Sequence, residues 1–119
     1  MKALLLTAMI ATLTGATAFA ETAAEWAAKG KTAYDARDYS QAGNKSAQAS
    51  ADFYAQAVAA TTNPTEQAQY LVAQAQSLYF VGDSSDDNKV KLVKHDLGMK
   101  LADQALKLLG INDATKVTN

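Results

Sequence analysis

His95 is the only histidine in the chain, and it stands among Lys91, Lys94 and Asp96 in a run of helical pattern. Histidine is the side chain that most readily moves protons near neutral pH. Its plain reading here is a solvated helix residue, because acid–base chemistry needs a second titrating group placed against it. Asp35 and Asp38 could act only by converging with raised pKa values. No H-E-x-x-H pair, nucleophile elbow or phosphate-binding glycine loop is present. A haem held by His and Met would want the methionine from another helix, whereas Met99 lies four residues from His95 on the same one. Asp83-x-Ser85-x-Asp87 has the opening of a calcium loop, but Asn88 fills its glycine position and Lys94 that of the closing glutamate. A helix cap accounts for the same residues. The chain has no cysteine, which removes thiol nucleophiles, thiolate metal sites and disulfides together. The expectation is a protein that is not an enzyme and carries no metal or cofactor.

The N-terminal twenty residues read as an address. Lys2 supplies a positive start, Ala3 to Leu13 a short apolar run, and Ala18-Phe19-Ala20 a small-residue cleavage pattern before Glu21. That run is too short to span a bilayer, so residues 1–20 are expected to be a cleaved secretory signal of bacterial type, leading to the periplasm or beyond. Without a cysteine there is no site for a lipoprotein anchor. The remaining 99 residues suffice for one small domain. Setting Lys2 aside leaves ten basic against twelve acidic residues, which is no footprint for nucleic acid or for anionic lipid. A protein or a neutral ligand suits that balance better.

The spacing of small and apolar residues is helical throughout. Ala23, Ala27, Gly30 and Tyr34 recur at three and four in a first helix, Glu21 to Ala36, followed by a polar break at Asp35, Arg37 and Asp38. Ser40 can cap a second helix running to about Thr61, whose first half (Gly43, Asn44, Lys45, Ser46, Gln48, Ser50) is the most polar stretch of the four. Asn63, Pro64 and Glu66 have the spacing of a helix start with a capping box, and the third helix carries Ala68, Leu71, Ala75 and Leu78 on one stripe. After a loop at Gly82 to Ser85, Ser84 or Ser85 is placed to cap a fourth helix. That helix has an apolar face of Val90, Val93, Leu97, Leu101, Ala105 and Leu108, and Gly110 ends it. Residues 111–119 read as a flexible tail. The fold class is all-α, with four helices and one helical domain over residues 21–110.

Shifted by 45 residues the chain matches itself: Tyr34 falls on Tyr79, Asp38 on Asp83, Ser40 on Ser85, Ala57 on Ala102 and Ala60 on Ala105. Such a self-match marks two copies of one helical hairpin. Trp26-x3-Gly30 with Asp38-Tyr39-Ser40-Gln41-Ala42, and Leu71-x3-Ala75-x2-Leu78 with Gly82-Asp83, resemble the tetratricopeptide repeat (TPR). Gly98-x3-Ala102-x2-Ala105 resembles the close packing of that family's second helix. The period exceeds the family's usual 34 or so, so the second helices must be extended. Tyr79-Phe80-Val81-Gly82-Asp83 and Gly98 to Leu106 also resemble, more narrowly, the T-component of tripartite ATP-independent periplasmic (TRAP) transporters. That second resemblance implies association with a periplasmic transport system.

Most aromatic rings at helical spacing fill cores. The TPR resemblance implies, however, that the first helix of each hairpin lines a concave face. It places Lys31, Tyr34 and Asp35 there from the first copy and Gln76, Tyr79 and Phe80 from the second. The function expected is recognition of a protein or peptide in that groove. Two units leave their end faces uncapped, so a homo-oligomer or a covering partner is also expected. The alternative is a small-ligand carrier, which would enclose a cavity between helices lined by Tyr34, Tyr79 and Leu78.

Overall fold

The computed structural model describes residues 20–111, and the four helices anticipated from spacing are present: α1 (Ala23–Asp35), α2 (Gln41–Ala59), α3 (Pro64–Asp83) and α4 (Asn88–Leu108). No strand occurs among the described residues. The leader expected over residues 1–20 and the tail expected over 111–119 lie outside them, apart from Ala20 and Ile111.

Local chemistry sets each helix start. Thr22 and Glu25 form a reciprocal capping box at α1, with Thr22 N donating to Glu25 Oε1 at 2.8 Å and Glu25 N to Thr22 Oγ1 at 3.1 Å. Ser40 caps α2 by accepting from Gly43 N, and is itself held by Asp38 Oδ1, which accepts from its backbone N–H at 2.8 Å and from its hydroxyl. Asn63 caps α3 with Pro64 in the first turn. Glu66 does not close a capping box there, because its carboxylate accepts from Thr61 Oγ1 at 2.7 Å instead of from the Asn63 N–H. The cap of α4 is Asp87, not Ser84 or Ser85. Ser84 is drawn back onto the Phe80 carbonyl at 2.7 Å and Ser85 Oγ accepts from Asp87 N, which leaves the Asp87 carboxylate facing Lys89 N and Val90 N. A Schellman turn ends α4: Gly110, at φ 74°, donates to Lys107 O and Ile111 to Leu106 O.

Each helix packs on its neighbours in sequence, α1 on α2, α2 on α3 and α3 on α4. Short connections make successive helices antiparallel, so α1 and α3 run the same way on α2. The interior is built from small residues. Ala47, Ala51, Ala57, Ala68, Ala75 and Ala105 are each at most 3% exposed, and the largest side chains with no exposure are Ser50 and Ser77. Larger groups enter mainly where α2, α3 and α4 meet, with Leu71 among Val58, Leu101 and Leu108.

Small residues let backbones approach closely, which leaves too little room for rings between them. Trp26, Tyr34, Phe53, Tyr54, Tyr70, Tyr79 and Phe80 are all half-buried, and Tyr39 is 74% exposed. The aromatic residues line the seams rather than filling a core. The polar first half of α2 stays helical because its polar groups find partners: Asn44 Nδ2 donates to Val81 O (3.0 Å) and Ser84 Oγ (2.7 Å), and Ser50 Oγ to Gly30 O (2.7 Å).

The apolar face anticipated on α4 is only partly covered. Leu101, Ala105 and Leu108 pack inward, but Val93 is 62% and Leu97 40% exposed, because α4 packs mainly on α3 and meets α2 only towards its C-terminal end, at Val58.

The two hairpins are related by nearly, but not fully, the same register. Gly30 lies against the Tyr54 ring in the first, and Gly98 against the Ala75 carbonyl in the second. Adding 45 to the first pair gives Ala75 and Met99, one residue from the observed partner. Thr32 Oγ1 donates to Ala28 O at 3.1 Å, and at the same shift Ser77 Oγ donates to Ala73 O at 3.0 Å.

Candidate functional site

Arg37, the only arginine of the chain, leaves the end of α1 and folds back over it. Its Nη1 donates to Tyr34 O at 2.9 Å, which holds the guanidinium carbon 3.7 Å from the Tyr34 ring centre. The same group lies 5.2 Å from the Phe80 ring of α3, and Phe80 in turn meets Tyr39 at 5.1 Å between ring centres. One cation therefore links rings from α1 and α3. Among the described residues no carboxylate pairs with Arg37, and its Nε has no hydrogen-bond partner.

Tyr54 of α2 lies next along the same side. Its ring stacks on Tyr70 of α3, centres 6.5 Å apart, and covers the bare backbone of Gly30. Burial pushes its phenol above the ordinary tyrosine range; the Lys31 charge opposes that shift, and Asp35, Tyr34 and Tyr70 add to it. Those four groups are thus the electrostatic surroundings of the Tyr54 hydroxyl. Lys31 and Asp35 pair with each other at 2.8 Å on the exposed surface of α1, and that bond raises the Lys31 pKa. The result is a strip between α1 and α3, floored by Tyr54, with a neutral ion pair on one rim and a lone cation at one end.

The six residues anticipated as a groove do not stay together. Lys31, Tyr34, Asp35 and Phe80 belong to this strip, and Gln76 is exposed on α3. Tyr79 turns the other way, into the seam with α4. There its ring is 5.5 Å from that of His95, and a Cβ added at Gly98 would lie 3.3 Å from its Cζ. The 45-residue relation explains this: equivalent positions face the second helix of their own hairpin, so Tyr34 looks towards α2 and Tyr79 towards α4. Nor is His95 a simple solvated residue. Its Nε2 sits 2.8 Å from Asp83 Oδ1, and its ring covers Gly82. Asp83, Ser85 and Asp87 are accordingly engaged with His95, the loop backbone and the α4 cap.

Sequence spacing passed over Arg37, Tyr54 and Tyr70. The tyrosine pair does carry a signal, since each lies eight residues from Thr62 at the centre of the α2–α3 turn. A shift of 45 cannot find it, because that shift sends Tyr54 to Met99 and brings Glu25 to Tyr70.

Surface grooves among the described residues include an apolar one of about 430 Å³ beside α1 (Ala28, Thr32, Ala36 and Phe53), one of about 330 Å³ at Val72 and Leu109, and a polar one of about 360 Å³ between the loops at Tyr39, Asn44 and Ser84. No described helix is long and apolar enough to cross a membrane. No protein-family model, curated protein or solved structure matches this chain.

Proposed function

We propose that this chain is an exported, TPR-like module that binds a protein or peptide segment along the strip between α1 and α3. The observation that carries the reading is the Arg37 guanidinium. It is held over Tyr34 and beside Phe80, has no acidic partner among the described residues, and continues into the half-buried Tyr54–Tyr70 stack. Half-buried rings offer apolar area with little rotamer freedom left to lose, and a bound apolar side chain contributes on the order of 1.5–3 kcal/mol when fully covered. Arg37 would take a carboxylate of the partner as a paired hydrogen-bond acceptor. The exposed Lys31–Asp35 pair would orient the segment more than hold it.

The near-common register of the two hairpins, displaced by one residue at Gly98, and the matched Thr32 and Ser77 bonds support the TPR-like reading. Export to a bacterial periplasm, and association there with a transport system, rest on the Lys2-to-Ala20 pattern and on the transporter-component resemblance. The carrier reading is less favoured by the geometry, since Tyr34 and Tyr79 face different seams.

The test is peptide display against the purified chain, with selected peptides then measured on folded Arg37→Ala and Tyr34→Ala variants. Carboxylate-bearing sequences that lose at least tenfold in affinity on both variants would support the strip. Selected peptides that bind both variants unchanged would show the wrong face has been named.

A further inference from the structure

The α2·α3 interface has an unfilled copy of each of its halves at the ends of the molecule. On α2 its contacts come from Asn44, Ser50, Tyr54 and Val58, with the fully buried Ala47 and Ala51 on the same stripe. Advanced by 45 residues this stripe becomes Lys89, Leu92, His95, Asp96, Met99 and Asp103 of α4; His95 is turned back onto Asp83 and Tyr79, and the other five are exposed. There Leu92 is 71% and Met99 62% exposed, the reverse of what a solvent-facing position usually holds. On α3 the contacts come from Tyr70, Ser77, Val81 and Ser84. Moved back by 45 these give Glu25, Thr32, Ala36 and Tyr39, and Thr32 and Ala36 line the apolar groove of about 430 Å³ beside α1.

We propose that the chain associates head to tail with further copies of itself, the exposed α4 stripe of one copy seating in the α1 groove of the next. The contact continues the α2·α3 interface across the molecular boundary. In that register Ser50 faces Ser77 and Tyr54 faces Tyr70, so Ala51 and Gln74 lie level between them. Their counterparts are Asp96 on the stripe and Lys29 on the groove rim, opposite charges at the same level. Each is paired on the surface of its own copy, Asp96 with Lys100 at 3.1 Å and Lys29 with Glu21 at 2.7 Å, and association exchanges those partners across the contact. Leu92 then drops between Thr32 and Ala36, where the groove walls are small. Two different surfaces meet, so the association is heterologous and builds a ring or an open chain, not a closed two-fold dimer. The tyrosine strip takes no part, and failure of the binding proposal would leave this one standing.

Sedimentation equilibrium over a wide concentration series reads the result. The wild-type chain should show an average mass rising above that of one chain. Leu92→Glu/Met99→Glu and Ala28→Glu, all at exposed helix positions, should each remain at one chain's mass with unchanged helical circular dichroism. Mixed together they should reach twice one chain's mass and stop, because the mixture retains one intact stripe and one intact groove. If a glutamate variant fails to fold, the charge swap decides: Asp96→Lys and Lys29→Glu should each weaken association, and together in one chain should restore it. A wild-type chain of constant single mass would overturn the proposal. So would self-association of Ala28→Glu alone, which would mean that α4 pairs with α4.

Discussion

Ser50→Ala removes the hydroxyl at the point where three helices meet. Ser50 is fully buried, and its Oγ donates to Gly30 O of α1 at 2.7 Å and lies 3.0 Å from Ser77 Oγ of α3. The substitution leaves no orphan donor. Gly30 O keeps its own intrahelical bond, and Ser77 keeps the Ala73 carbonyl at 3.0 Å. Each hydroxyl has one proton, so with Ser50 on Gly30 O, Ser77 donates either to Ser50 Oγ or to Ala73 O. What is lost is therefore one net hydrogen bond of about 0.5–1.5 kcal/mol, offset by roughly 0.5 kcal/mol of better helix propensity for alanine. The expected cost is about 0–1 kcal/mol, or a fall in Tm of no more than roughly 4–8 °C for a domain of this size. Ser77→Ala should cost about as much, because Ser50 keeps Gly30 O. The double variant should cost about the sum, since Ser77 turns its one proton to Ala73 O when Ser50 is gone. Urea unfolding of the four proteins measures all of this. A cost above about 2 kcal/mol for either single variant, or a double variant well short of the sum, would refute this pattern of bonds.

Gly30→Ala would place a Cβ 2.9 Å from Tyr54 Cδ2 and Cε2. The ring must shift at a cost of about 1–3 kcal/mol, against about 1 kcal/mol gained in helix propensity, so urea unfolding should show a net loss and near-ultraviolet dichroism a changed tyrosine signal. Gly110→Ala forces an alanine to φ 74° and should cost about 1 kcal/mol in the same assay, with fraying confined to the end of α4 in hydrogen exchange. The Thr22 backbone N–H and hydroxyl hold the Glu25 carboxyl below its ordinary range. A depressed folded pKa stabilises fully above the unfolded value of about 4.3, and that contribution is lost as pH falls through the folded value. The stability difference between wild type and Glu25→Gln should therefore be constant near neutrality and shrink on acidification below about pH 4.

How much of this was legible in the chain depends on whether a feature was local. Ser40, Asn63, Pro64 and Gly110 act within a few residues of themselves, and the helices begin and end where they stand. The start of α4 was harder to read because Ser84, Ser85 and Asp87 compete for the same bonds, and the choice depends on how far α3 continues. The extent of burial was not legible either. Periodicity gives α4 an apolar face through Val93 and Leu97, yet α3 alone covers that half of the helix and those residues stay exposed. The groove set failed at Tyr79 for a related reason: a repeat says which positions are equivalent, but not whether they face a common surface or each its own hairpin. Arg37 lies outside any stripe, and only the folded chain brings it to Phe80.

The binding strip is tested most directly by nuclear magnetic resonance on the labelled chain, titrated with a peptide selected by display. The largest shifts should fall on Tyr34, Arg37, Tyr54, Tyr70 and Phe80, and Arg37→Ala should move them to at least tenfold higher peptide concentration while the helices stay intact. Shifts confined to α4, or to the seam of Tyr79 and His95, would contradict it.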